Sequence, residues 1–130
     1  MFVDTSVIVA ILAGEADAAD WSGRLEAAAH KSTSALVVLE AAMRLSTLLA
    51  MEPVDVAATI EAFLAEADIG ITPIEADDGW LAIRAFSEYG KGCRHPAQLN
   101  LADCLSYASA KRRGVPLLYK GNDFARTDLA

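Results

Sequence analysis

The first twelve residues, MFVDTSVIVAIL (1–12), place a single carboxylate, Asp4, inside an otherwise apolar opening. Residues 1–4 read as a short buried strand. Thr5 or Ser6 then caps a short helix over residues 7–12, which Gly14 stops. Asp4 falls at the junction of the two, where a lone carboxylate is costly to bury unless something pairs with it. The remainder of the chain has to supply that partner.

The same strand-to-helix rhythm repeats. Residues 16–29 are Ala-rich and helical, with Trp21 and Leu25 four apart on one face. Residues 30–34 make a brief strand, and Ser34 caps the strongly apolar helix ALVVLEAAMRLSTLLA. Pro53 stands at a helix's first position, followed by Val56, Ile60, Phe63, Leu64 and Ala67 on one face. Residues 69–74 form a strand, and Asp77 or Asp78 opens a helix through Trp80, Ile83 and Phe86. The stretch YGKGCRHPAQ is a loop punctuated by Gly and Pro. Asn100 caps LADCLSYASAKRR, Gly114 ends it, and residues 115–119 are a last apolar strand running into Lys-Gly-Asn-Asp. Short apolar strands alternating with helices predict an α/β fold with a central parallel sheet of four to five short strands and helices on both faces. At 130 residues this is one domain, spanning residues 1–130.

Glu40 and Arg44 interrupt the longest apolar run, so no membrane span is expected. No basic region precedes the apolar N-terminus, which argues against a secretory signal. Cys93 and Cys104 lack zinc-site spacing and read as reduced thiols of a cytoplasmic protein.

The net charge of −7 argues against a polyanionic partner, but its distribution does not. Residues 1–90 hold four Lys/Arg and fifteen Asp/Glu, a balance of −11; residues 91–130 hold seven (Lys91, Arg94, Lys111, Arg112, Arg113, Lys120, Arg126) and three acids, a balance of +4. The run Lys111-Arg112-Arg113 has a simpler reading, as a basic helix C-terminus complementing its own dipole.

Ligand sites of parallel α/β sheets lie at the carboxyl ends of the strands. Asp4 ends the first strand, Asp123 lies just past the last, and Glu40 and Asp103 lie early in helices that can point to the same edge. Each has a structural reading taken singly. Asp4 could cap the following helix, Glu40 could pair with Arg44 four residues on, Asp103 suits a helix N-terminus, and Asp123 suits a turn. Against the second of these, the helix around Glu40 is apolar nearly all round and reads as buried. Together at one edge the four would repel one another, and a divalent cation removes that conflict. Hard oxygen donors select Mg²⁺ or Mn²⁺, whose bound water ionises readily and attacks phosphoryl centres. The chain holds two histidines, no GxSxG and no P-loop.

Asp4-Thr5-Ser6, Ser34-Ala35-x4-Glu40, YGKGCRHPAQLNLADCLSYASAK and the ending PLLYKGNDFARTD resemble PIN-domain ribonucleases, specifically VapC-type toxins. The resemblance runs from the first strand to the last residues; Ala102 stands where many relatives have Gly. It implies a three-layer PIN-like fold and internal cleavage of RNA by one or two Mg²⁺ or Mn²⁺ ions, with Asp4, Glu40, Asp103 and Asp123 as the catalytic, metal-holding acids. Asp4 and Asp103 would be direct ligands, and Glu40 and Asp123 would act directly or through water. Thr5, Ser6 and Asn122 would orient the carboxylates. Asp128 is a further acidic candidate that reads better as a turn residue. The resemblance also implies a homodimer and a VapB-type antitoxin that blocks the site.

The expected reaction is in-line attack of an activated water on a phosphodiester, leaving 5′-phosphate and 3′-hydroxyl ends. Lys91, Arg94, His95 and Lys120 are the candidates for contacts to the RNA backbone. Tyr89 and Tyr107 could stack on bases, although Tyr107, between Leu101 and Ala108 on a helix, reads better as core. The alternative function is a non-catalytic PIN-like module acting through antitoxin or dimer contacts; four clustered acids without a cation count against it. Phosphoryl-accepting domains fit poorly, because Asp4-Thr5-Ser6 is not Asp-x-Asp and the strand at 69–74 ends in Glu75.

Overall fold

A computed structural model describes all of residues 1–130. The chain runs β1 (Phe2–Val3), α1 (Thr5–Leu12), α2 (Ala18–Glu26), β2 (Lys31–Ser34), α3 (Ala35–Leu49), α4 (Pro53–Glu66), β3 (Ile69–Thr72), α5 (Ala76–Tyr89), α6 (Leu101–Arg113) and β4 (Leu117–Leu118). The strands form one parallel sheet in the order β3-β2-β1-β4. Phe2 stands opposite Ser32 on one side and Leu117 on the other.

That order fixes the layers. The steps β1 to β2 and β2 to β3 run the same way, so right-handed crossovers put α1 to α4 on one face. The return from β3 to β4 crosses the whole sheet, which puts α5 and α6 on the other. The result is the expected three-layer α/β arrangement, with four strands. Phe2, Val3, Val7, Ile8, Val37, Leu45, Ile60, Leu99 and Phe124 are fully enclosed between the layers. Because their flanking helices lie on opposite faces, β1 and β4 bound the switch point of the sheet, where such folds open a crevice at the strands' carboxyl ends.

Local signals placed most element ends. Ser34 accepts from the Val37 amide at 3.2 Å to open α3, and Pro53 is the first residue of α4. Asn100 and Asp103 make a reciprocal capping box on α6, which Gly114 closes at φ +64°. Three readings need correction. Asp4 itself, rather than Thr5 or Ser6, caps α1 by accepting from the Ser6 amide. Glu75 opens α5 in a box with Asp78. The strands expected at 69–74 and 115–119 shorten to Ile69–Thr72 and Leu117–Leu118. For β4 the reason is its partner, since β1 ends where Asp4 turns to cap α1.

Candidate active site

Asp4 leaves β1 with its amide bound to the Leu118 carbonyl at 3.0 Å, so the backbone of β4 fixes where its side chain starts. The side chain is almost wholly buried. Burial pushes its carboxyl up; the Ser6 hydroxyl (2.7 Å) and amide (3.1 Å), both donating to Oδ2, resist that rise. Glu40 adds repulsion, and the Ser106 hydroxyl again favours the charged form. Ser106 is buried on α6, three residues after Asp103 and therefore on the same helical face. Sequence reading missed it; its only signal was that spacing from Asp103.

Asp103 is buried at the start of α6, with Oδ2 accepting from the Asn100 amide at 3.0 Å. Burial above all, with repulsion from Asp123, Asp4 and Glu40, pushes its carboxyl to about 7 against the Asn100 bond. The fold thus brings the four expected acids to one edge, where each of the other three raises the cost of charging Asp103. No three of them converge closely enough to form a finished ligand cage. Each cap engages Oδ2 and leaves Oδ1 out of the bond.

Glu40 is half-buried on α3 and makes no ion pair with Arg44. The helix around it is not buried all round, since Leu39 and Met43 lie more than half exposed. Asp123 is exposed beside Asn122, in the turn after Gly121 at φ +102°. Thr5 is buried next to Asp4, and its Oγ1 is the one buried side-chain polar atom with no hydrogen-bond partner. An oxygen-only donor set with an orphaned hydroxyl beside it suits a hard divalent cation.

The basic and aromatic candidates divide. Lys91 and Arg94 are exposed on the loop between α5 and α6. His95 is half-buried, edge-on to Tyr89 at 4.9 Å, with Nδ1 accepting from the Ala97 amide at 3.1 Å. Tyr89 is buried and unavailable for stacking, and Tyr107 is core as expected, its hydroxyl donating to Asp128 at 2.7 Å. Lys120, expected at RNA, is instead paired with Glu15 and Asp17. Asp128 is a tether for Tyr107 and Lys111 rather than part of the acidic edge. Cys93 and Cys104 are both free thiols, as the spacing implied.

The sequence matches the family described as PIN domain over residues 1–129. It is 41% identical over 127 residues to ribonuclease VapC28 of Mycobacterium tuberculosis, covering 98% of this chain and 93% of that protein. A VapC ribonuclease of Rhizobium meliloti is 39% identical over 139 residues, covering 98% of each chain. The crystal structure of Mycobacterium tuberculosis VapC20, described as a sarcin–ricin loop cleaving toxin, has the same fold. It superposes with a TM-score of 0.76 at 20% identity, over 99% of this chain and 95% of that one. With its order of strands and near full-length identity to these proteins, the chain belongs to the PIN-domain family and groups with its VapC ribonucleases.

Proposed function

We propose that this chain is a divalent-metal-dependent endoribonuclease, the toxin of a VapBC-type toxin–antitoxin pair, hydrolysing RNA phosphodiester bonds to 5′-phosphate and 3′-hydroxyl ends. The observation that carries the reading is the likeness over nearly the full chain to VapC ribonucleases. Asp4 and Asp103, buried carboxylates whose charging burial and their acidic neighbours oppose, support the metal part of it, since a shared cation relieves that cost. Asp4 and Asp103 would hold one or two Mg²⁺ or Mn²⁺ ions directly, with Glu40 and Asp123 completing the shell directly or through water. Such an ion, when bound, lowers the pKa of a water and offsets charge developing on a phosphoryl oxygen. The chain supplies the geometry. Ser6 aims Asp4, the Asn100 amide aims Asp103, and Thr5 offers an uncommitted hydroxyl beside them. Lys91 and Arg94, exposed and unpaired, attract the RNA backbone.

The protein partners are a VapB-type antitoxin and a second copy of the chain. Trp80, Ile83 and Phe86 recur three apart on α5, each more than half exposed, and such a stripe supports a protein–protein face. No helix is long and apolar enough to cross a membrane, and an RNA substrate is in keeping with action in the cytoplasm.

The test is cleavage of total RNA by wild type and Asp103→Ala, with mapping of the ends. Cleavage is expected with Mg²⁺ or Mn²⁺, lost in EDTA and lost in Asp103→Ala. Activity that persists in chelator overturns the metal mechanism, and cyclic phosphate ends overturn attack by water.

A further inference from the structure

Lys120 begins the loop that carries Asn122 and Asp123, and it is tied at both ends. Its amide donates to Ser6 Oγ at 2.9 Å, and that hydroxyl donates to Asp4 at 2.7 Å. Its ammonium lies 2.8 Å from Asp17 and also pairs with Glu15, both in the turn between α1 and α2. Asp17 is itself fixed, accepting from the Trp21 indole at 2.9 Å. Asp123, by contrast, makes no side-chain hydrogen bond to the protein, so only the path of the 120–123 backbone decides where it stands relative to Asp4.

We propose that Lys120 is a positioning residue of the carboxylate site: its side chain straps the 120–123 loop to the α1–α2 turn and thereby sets Asp123 against Asp4 and Asp103. This rests on the function proposed above for the acids, but not on Lys120 touching RNA. The strap joins residues more than a hundred positions apart and occupies the Lys120 ammonium with two carboxylates. Its two acidic partners are replaceable without altering any acid of the site.

The experiment compares wild type, Lys120→Met, Lys120→Arg, the pair Glu15→Gln/Asp17→Asn, and the triple variant that combines Lys120→Met with that pair. Three readouts are taken: amide hydrogen exchange over residues 120–125 in metal-free protein, the Mn²⁺ concentration giving half-maximal thermal stabilisation, and kcat and KM with their salt dependence. Lys120→Met should speed exchange in the loop. It should also raise the Mn²⁺ midpoint and lower kcat by about tenfold, the scale of groups that orient metal ligands, with KM and its salt dependence unchanged. The acidic pair should reproduce this, the triple variant should add nothing further, and Lys120→Arg should restore it. If Lys120→Met instead leaves loop exchange and the Mn²⁺ midpoint alone and flattens the salt dependence, Lys120 is a phosphate contact and the proposal is overturned. Normal activity in the acidic pair overturns it equally. Should wild type show neither Mn²⁺ stabilisation nor cleavage, the proposed function fails. Loop exchange then still decides the strap, because it needs neither metal nor RNA.

Discussion

At the scale of single residues, Asp103 serves two ends that conflict. As the third residue of α6 it caps the helix, which favours the carboxylate, yet its surroundings make charge expensive. Its carboxyl binds a proton more tightly folded than unfolded, at about 7 against an ordinary 3.8, so the folded state holds more protons between those values. Stability of the metal-free protein therefore falls as pH rises from about 4 to about 7, by at most roughly 4 kcal/mol for a shift of this size. Water reaching the crevice reduces what is realised. Asp4, also raised, contributes with the same sign. Asp17, Asp78 and Asp128 are all lowered and act oppositely, stabilising above pH 4 and losing that contribution only below it. Melting temperature without metal should decline across pH 4 to 7, the decline should shrink in Asp103→Asn, and Mn²⁺ at pH 7 should reverse it. A flat wild-type profile would mean that neither burial nor the neighbouring acids make charging Asp103 costly. All four could be picked out as candidates in the sequence because each follows a strand or a cap. Ser106 and Lys120 were not, because a serine or lysine signals nothing until the fold brings Asp4 or Asp17 to it.

At the scale of elements, α5 and α6 are locked where the start of one meets the end of the other. Asp78 is fully buried. Although burial pushes its carboxyl up, the Glu75 amide (2.8 Å) and the Arg112 and Arg113 guanidiniums hold it below the usual range. Arg112 also reaches Glu75 at 2.7 Å, and Arg113 donates to the Pro73 carbonyl at 3.2 Å. The run Lys111-Arg112-Arg113 does more than answer its own helix dipole; it fastens α6 to its neighbours. Asp78→Ala removes a cap and leaves two guanidiniums without their carboxylate. The expected loss is about 2–4 kcal/mol, the lower side of a broken buried pair plus a cap because both arginines keep some solvent. Urea unfolding of Asp78→Ala against wild type measures it, and a loss under about 0.5 kcal/mol would mark the pair as an ordinary surface contact. Helix starts at Ser34, Pro53 and Asn100 could be read because capping is local. Strand lengths could not, because the extent of β4 is set by how far β1 runs beside it. The helix around Glu40 misled for a related reason: an apolar surface looks the same in sequence whether the chain covers it or leaves it exposed.

Over the whole molecule the charge asymmetry visible in sequence is real, but the fold spends most of it internally. Of the seven basic side chains after residue 90, Lys111 pairs with Asp128, Arg112 with Glu75 and Asp78, Arg113 with Asp78, and Lys120 with Glu15 and Asp17. Lys91, Arg94 and Arg126 remain without an ion pair. A molecule with net charge −7 and three such cations in this region cannot hold single-stranded RNA by a broad electrostatic grip. Each phosphate contact to a single strand contributes a slope of about −0.7 in log affinity against log salt, so three give about −2 per protomer. Filter binding by the Asp103→Ala variant, expected to be catalytically silent, across a salt series measures that slope. Lys91→Gln and Arg94→Gln should each make it shallower by about 0.7, while Arg112→Gln should leave it unchanged. A slope well steeper than −2 would mean that Arg24, Lys31, Arg44 or Arg84, none of which has a carboxylate partner either, also meets the RNA, or that a paired cation leaves its carboxylate.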